Sequence, residues 1–121
     1  MMDERAAKNA LQAYIDTFNA GSAAAVTALY AQNATIEDPV GSPLKRGKEE
    51  ILAFYTASIA TGAKLSLDAP IRGSHGNAAA MAFTAKIGSL TIRVIDVMTF
   101  DEAGKFASMK AYFGPMDMQP G

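Results

Sequence analysis

The spacing of apolar residues changes halfway along the chain, and that change excludes most architectures. Up to about residue 60 apolar side chains recur every three or four positions: Leu11, Tyr14, Ile15 and Phe18, then Val26, Leu29 and Tyr30, then Ile51, Leu52, Phe54, Tyr55 and Ile59. This is the stripe of a half-buried helix. Beyond Thr61-Gly62 the period falls to two, through Leu65, Leu67, Ala69 and Ile71, then Ala79, Met81, Phe83, Ala85 and Ile87, then Ile92, Val94, Met98 and Phe100. Such alternation belongs to strands with one buried face. Helices first and consecutive strands afterwards predict an α+β domain, its three N-terminal helices packed on one face of a curved, mostly antiparallel sheet. At 121 residues the chain has material for one core, so residues 1–121 form a single domain.

Punctuation residues set the expected boundaries. Asp3 caps a first helix that ends near Asn19-Ala20-Gly21, and Ser22 caps a second that runs through Tyr30. A break at Asn33 precedes a short strand, 34–38, and Asp38-Pro39-Val40-Gly41-Ser42-Pro43 is turn chemistry. A third helix spans 48 to about 60. Strands are expected over 65–71, 79–87, 91–100 and 105–113, with Gly88-Ser89 as a two-residue hairpin turn.

Composition removes several kinds of chemistry. The net charge is −1 and the basic residues are scattered, so a nucleic-acid partner has no electrostatic footprint. Without cysteine there are no disulfides or thiolates, and one histidine, His75 in a glycine-flanked turn, is too few for the usual metal centres. No apolar run approaches the roughly 20 residues of a membrane span. The first residues lack the apolar stretch of a secretory signal, and the chain reads as a cytoplasmic protein with no membrane partner. Carboxylates, phenols and backbone are left to do any chemistry.

Three polar groups break the apolar pattern. Period-two counting puts Asp38 on the face of Ala34 and Ile36, and Asp96 on the face of Ile92, Val94, Met98 and Phe100. Tyr14 shares the helical stripe of Leu11 and Phe18, so a phenol points into the same interior. An unpartnered carboxylate is costly there and either finds partners or stays protonated. Each residue also has a plain structural reading. Tyrosines on such stripes are commonly core aromatics, and aspartate before proline commonly caps a turn. Asp96, amid apolar neighbours on one strand face, has fewer innocent explanations.

The segments Ala13-Tyr14-Ile15, Thr35-Ile36-Glu37-Asp38-Pro39-Val40-Gly41, Val94-Ile95-Asp96-Val97-Met98 and Ser108-Met109-Lys110-Ala111-Tyr112-Phe113 resemble the bacterial ketosteroid isomerases. The likeness runs over nearly the whole chain. It implies a cone-shaped fold of the nuclear-transport-factor-2-like kind, a homodimer, an apolar pocket for a small-molecule steroid, and no cofactor or metal. It assigns Asp38 as the catalytic base, Tyr14 as a phenolic oxyanion donor and Asp96 as a protonated aspartic donor. That family is the standing example of a carboxylic acid kept neutral to donate a hydrogen bond, so this pKa logic comes with the resemblance. Tyr30 and Tyr55 match a supporting tyrosine network. The connection around residues 87–90 is shorter than the family's, and Phe113 stands where some members carry tryptophan; both bear on substrate preference.

The implied reaction moves a proton from the carbon between a ketone and an alkene, through a dienolate, to the far alkene carbon. Such a step needs a base at carbon and donors at the carbonyl oxygen. Val40, Phe54, Met81, Phe83, Met98, Met109 and Phe113 are expected to line the pocket, although methionines and aromatics at these spacings also fill cores. Arg93 and Asp96, an arrangement known from related epoxide hydrolases, fall on opposite strand faces. A polyketide cyclase or dehydratase on the same fold, or a non-catalytic dimer module that binds an apolar ligand, are the competing readings.

Overall fold

The computed structural model describes residues 3–120. Helix α1 (Glu4–Asn19) starts where the Asp3 carboxylate accepts from the Ala6 amide at 2.7 Å. It ends at Ala20 and Gly21, whose φ of +83° suits only glycine well. Leu11, Tyr14, Ile15 and Phe18 are buried along one stripe, as their spacing predicts.

Helix α2 (Ala23–Thr27) is capped by Ser22, whose Oγ accepts from the Ala25 amide at 3.0 Å. It stops short of the predicted Tyr30, and strand β1 (Tyr30–Glu37) begins there instead of at residue 34. Distant partners overrule the helical spacing. Lys48 Nζ donates to the Thr27 carbonyl at 2.9 Å, Lys105 Nζ to the Ala28 carbonyl at 3.1 Å, and the Phe106 amide to the Leu29 carbonyl at 2.9 Å. Strand β2 (Lys45–Arg46) then pairs with β1 and leads into α3 (Gly47–Ala60), which buries Ile51 and Tyr55.

Strand β3 (Lys64–Leu67) is shorter than the predicted 65–71, because the chain bends before Pro70, which has no N–H to offer a ladder. Strands β4 (Ala78–Ile87), β5 (Leu90–Phe100) and β6 (Phe106–Tyr112) form a meander, and Gly88 at φ +59° makes the two-residue turn between Ile87 and Leu90. A 3₁₀ turn (Pro115–Asp117) and β7 (Met118–Gln119), which pairs with Thr91 and Ile92, were not foreseen.

The strand order is β2-β1-β6-β5-β4-β3; β1 runs parallel to β6 and every other pair is antiparallel. The α+β class and the mostly antiparallel sheet are therefore as the periodicity predicts. Helix α1 packs over β3 and β4, α3 packs over β1, and α2 sits against both helices. Burying a large apolar side chain contributes about 1.5–3 kcal/mol, and the residues that supply this are Leu11, Phe18, Val26 and Ile51 against Met81, Met98, Phe100, Phe106 and Met109. No helix among the described residues is long and apolar enough to cross a membrane.

Candidate active site

Between α1 and α3, over the inner face of β4 and β5, lies a cavity of about 210 Å³. The strand register fixes its closed end. Asp96 lines the cavity and pairs with Met81, which is sealed in the core; residues beyond them, Met98 and Ala79, are core as well. In the other direction Val94, Ile92, Phe83, Ala85 and Ile87 all line the cavity, so it runs from Asp96 toward the β4–β5 hairpin. Asp96 to Ile92 is about 13 Å of strand. The cavity is thus long, apolar, and polar at its floor.

All three sequence-predicted polar residues, Tyr14, Asp38 and Asp96, line this cavity. Asp96 is 1% exposed, and neither carboxyl oxygen has a hydrogen-bond partner. Burial, with the Asp38 charge added, holds its pKa well above the ordinary carboxylate range, so it is a neutral acid with a proton to give. Asp38 follows the last residue of β1 and is half-buried; desolvation raises its pKa to about 6. At neutral pH the two carboxyls therefore differ in charge.

The turn after Asp38 is tied at several points. The Val40 amide donates to the Ala111 carbonyl at 2.8 Å, the Gly41 amide to Glu37 Oε2 at 2.9 Å, and Ser42 Oγ to the Pro39 carbonyl at 2.6 Å. Gly41 has φ +103°, which excludes most side chains. These bonds hold the carboxylate at the cavity wall.

The tyrosines form a directed chain. Tyr55 OH donates to Tyr14 OH at 3.1 Å, and Tyr30 OH lies 2.5 Å from Tyr55 OH. A phenol has one proton. Since that of Tyr55 goes to Tyr14, Tyr30 is the donor in the second bond, and the proton of Tyr14 is left to point into the cavity. All three hydroxyls have pKa values raised, first by burial, so they stay protonated.

Among the residues expected on the pocket wall, Phe54, Phe83 and Phe113 line the cavity. Met81, Met98 and Met109 do not: at 1, 0 and 1% exposure they are core residues beyond its floor. Val40 is also corrected, being 42% exposed on a depression at the outer face of the sheet. Phe18, Leu65, Ile92, Val94, Ser58 and Thr61 line the cavity and were not singled out. The first four lay on the inner faces that periodicity identified; Ser58 and Thr61 were overlooked because polar residues interrupt an apolar count. His75 is exposed in its turn, and Arg93 lies on the outer face, 3.9 Å from Asp68, across the sheet from Asp96.

A family model described as a SnoaL-like domain matches residues 11–109. The Steroid Delta-isomerase of Nocardioides simplex is 44% identical over 115 residues, which cover 92% of each chain. The solved structure of the epoxide hydrolase/cyclase-like enzyme SalBIII, described for its role in pyran ring formation in polyether salinomycin, matches with a TM-score of 0.93 over all of both chains at 25% identity. With its fold matched and its sequence shared at this level, the chain belongs to the SnoaL-like domain family and, within it, is a homologue of the steroid Δ-isomerases.

Proposed function

We propose that this protein isomerises 3-oxo-Δ5-steroids to their conjugated 3-oxo-Δ4 forms by intramolecular proton transfer. The observation that carries the reading is Asp96, a buried acid whose two oxygens have no partner, on the floor of an apolar cavity that Tyr14 also lines. A ketone oxygen seated there receives two hydrogen bonds, which strengthen as it becomes a dienolate oxygen. Asp38, ionised at neutral pH, takes the proton from the carbon between ketone and alkene. The C–H electron pair enters the dienolate; the alkene then shifts as Asp38 returns the same proton to the far alkene carbon. Tyr30 and Tyr55 support the donor by polarising the Tyr14 hydroxyl.

Likeness to the SalBIII structure favours a cyclase as the second reading. Arg93, however, faces away from the cavity and is paired with Asp68, so an Arg–Asp couple is not assembled. The homodimer that the resemblance implies has a surface to form on: Ile95, Tyr112 and Val40 are 50, 46 and 42% exposed on the outer side of the sheet. A second copy is its occupant, and sedimentation of the wild type against Ile95→Lys tests it.

Absorbance of the conjugated enone, followed after adding 5-androstene-3,17-dione, tests the reaction. A rise that is lost in Asp38→Asn is expected. No rise from folded protein rejects the steroid reading, and undiminished turnover by Asp38→Asn rejects the base.

A further inference from the structure

The far end of the cavity carries two hydroxyls that the reaction does not use. Ser58, one turn after Tyr55 on α3, and Thr61, the residue that caps the C-terminus of α3, both line it. From Tyr55, which bonds the oxyanion donor Tyr14, to Thr61 is six residues, or about 9 Å along the helix. Thr61 is exposed and Ser58 half-buried, so this is the open end.

Both hydroxyl protons are already engaged. Ser58 Oγ donates to the Phe54 carbonyl at 2.9 Å, and Thr61 Oγ1 donates to the Ser58 carbonyl at 2.6 Å. What they offer the cavity is lone pairs: those of Ser58 Oγ, and the one that Thr61 Oγ1 keeps after accepting from the Ala63 amide at 3.2 Å. The end of α3 adds to this, because the C-terminus of a helix carries partial negative charge and no basic residue stands in its last turn to neutralise it. The cavity therefore has opposite polar ends: donors at the floor, where Tyr14 and neutral Asp96 meet a ketone, and acceptors at the mouth.

We infer that the mouth selects a substrate that ends in a hydroxyl donor on the ring farthest from the reacting ketone, with Ser58 and Thr61 as the specificity-determining residues. The inference rests on the steroid reading for its substrate skeleton. A terminal ketone gains a donor at this end only if Ser58 or Thr61 gives up its bond to a backbone carbonyl, whereas a terminal hydroxyl donates to Ser58 Oγ or Thr61 Oγ1 with those bonds kept. One such neutral hydrogen bond corresponds to roughly a three- to tenfold preference.

The test compares kcat/KM for two 3-oxo-Δ5-steroids that differ only at carbon 17, one bearing a 17β-hydroxyl and the other a ketone. Wild type is expected to favour the alcohol by about three- to tenfold. In Ser58→Ala/Thr61→Val the ratio falls toward one. Ala60→Lys, an exposed change that puts a positive charge in the last turn of α3, lowers the ratio without touching the cavity lining. Competition by two planar phenolic steroids, one ending in a hydroxyl and one in a ketone, gives the same ratio with no turnover required. A wild-type ratio of one or less, or a ratio unchanged in both variants, overturns the inference and leaves the isomerase standing. If neither substrate turns over, the isomerase reading falls, and the phenolic pair alone decides the selectivity.

Discussion

Replacing Asp38, the proposed base, should make the protein more stable, and the size of the gain follows from the site. Desolvation holds the Asp38 pKa at about 6 against 3.8 for a solvated carboxyl. At about 1.4 kcal/mol per tenfold, keeping this group ionised in the folded state costs about 3 kcal/mol. The raised pKa fixes the sign. The folded state binds the proton more tightly than the unfolded one, so relative stability is greatest below pH 3.8 and is lost as pH rises to about 6. Asn cannot ionise, so Asp38→Asn escapes the whole penalty above pH 6. Urea unfolding at pH 8 is expected to give a gain of about 2–3 kcal/mol, or roughly 10 °C in Tm, with an unchanged m-value. By pH 4 the gain should shrink below about 1 kcal/mol. Protein concentration is held constant, because self-association shifts apparent stability. No gain at pH 8 refutes the desolvation argument; a gain that persists undiminished at pH 4 assigns it to packing rather than charge.

Other expectations follow from the same geometry. As the base must be ionised, kcat/KM of the isomerisation should fall about tenfold per pH unit below pH 6 and level off above it; a midpoint near 4 means that Asp38 is solvated in the working enzyme. Asp96→Leu removes a buried acid with two unpartnered oxygens, so unfolding experiments should show about 1–3 kcal/mol of added stability while kcat drops about 10²–10³-fold; a loss of stability means the carboxyl has a partner. Tyr55→Phe should lower kcat more than Tyr30→Phe, because it takes the donor from Tyr14 and strands the Tyr30 proton, and the reverse order refutes the direction of the chain.

The part of the site legible in the sequence is the part set by local geometry. Alternation identified Asp96 as an inward acid because every second residue of its strand is apolar, and helical spacing did the same for Tyr14. Alternation reports the face of a residue and not its depth. Phe83 and Met81 share one face of β4, yet Phe83 lines the cavity and Met81, 1% exposed, does not. That boundary depends on where α1 and α3 cross the sheet, which no single element encodes. The misplaced start of β1 has the same origin. Leu29 and Tyr30 continue a helical stripe, but bonds from Lys48, Lys105 and Phe106 to the carbonyls of Thr27, Ala28 and Leu29 end the helix in a turn, and Tyr30 opens the strand. The two residues of β7 are too few to carry a period at all.

Position along a strand also explains how the two aspartates suit the opposite roles proposed for them. Asp38 stands half-buried after the end of β1 and ionises near pH 6; Asp96 stands in the middle of β5 with strands on both sides, and burial holds its pKa well above the ordinary carboxylate range. Each environment sustains the other. The Asp38 charge helps keep Asp96 protonated, and in the proposed reaction, when Asp38 takes a proton from substrate, that charge passes to the oxygen beside Tyr14 and Asp96. On this proposal the cavity holds one negative charge before and after the transfer, which leaves Asp96 the same reason to stay neutral throughout. Asp38→Asn reproduces the charge of the base after transfer, without the dienolate. It should therefore retain a planar phenolic steroid, whose oxygen takes the place of the dienolate oxygen, at least as tightly as wild type while losing turnover, and a marked loss of that affinity in a titration refutes the idea that one charge moves between two fixed sites.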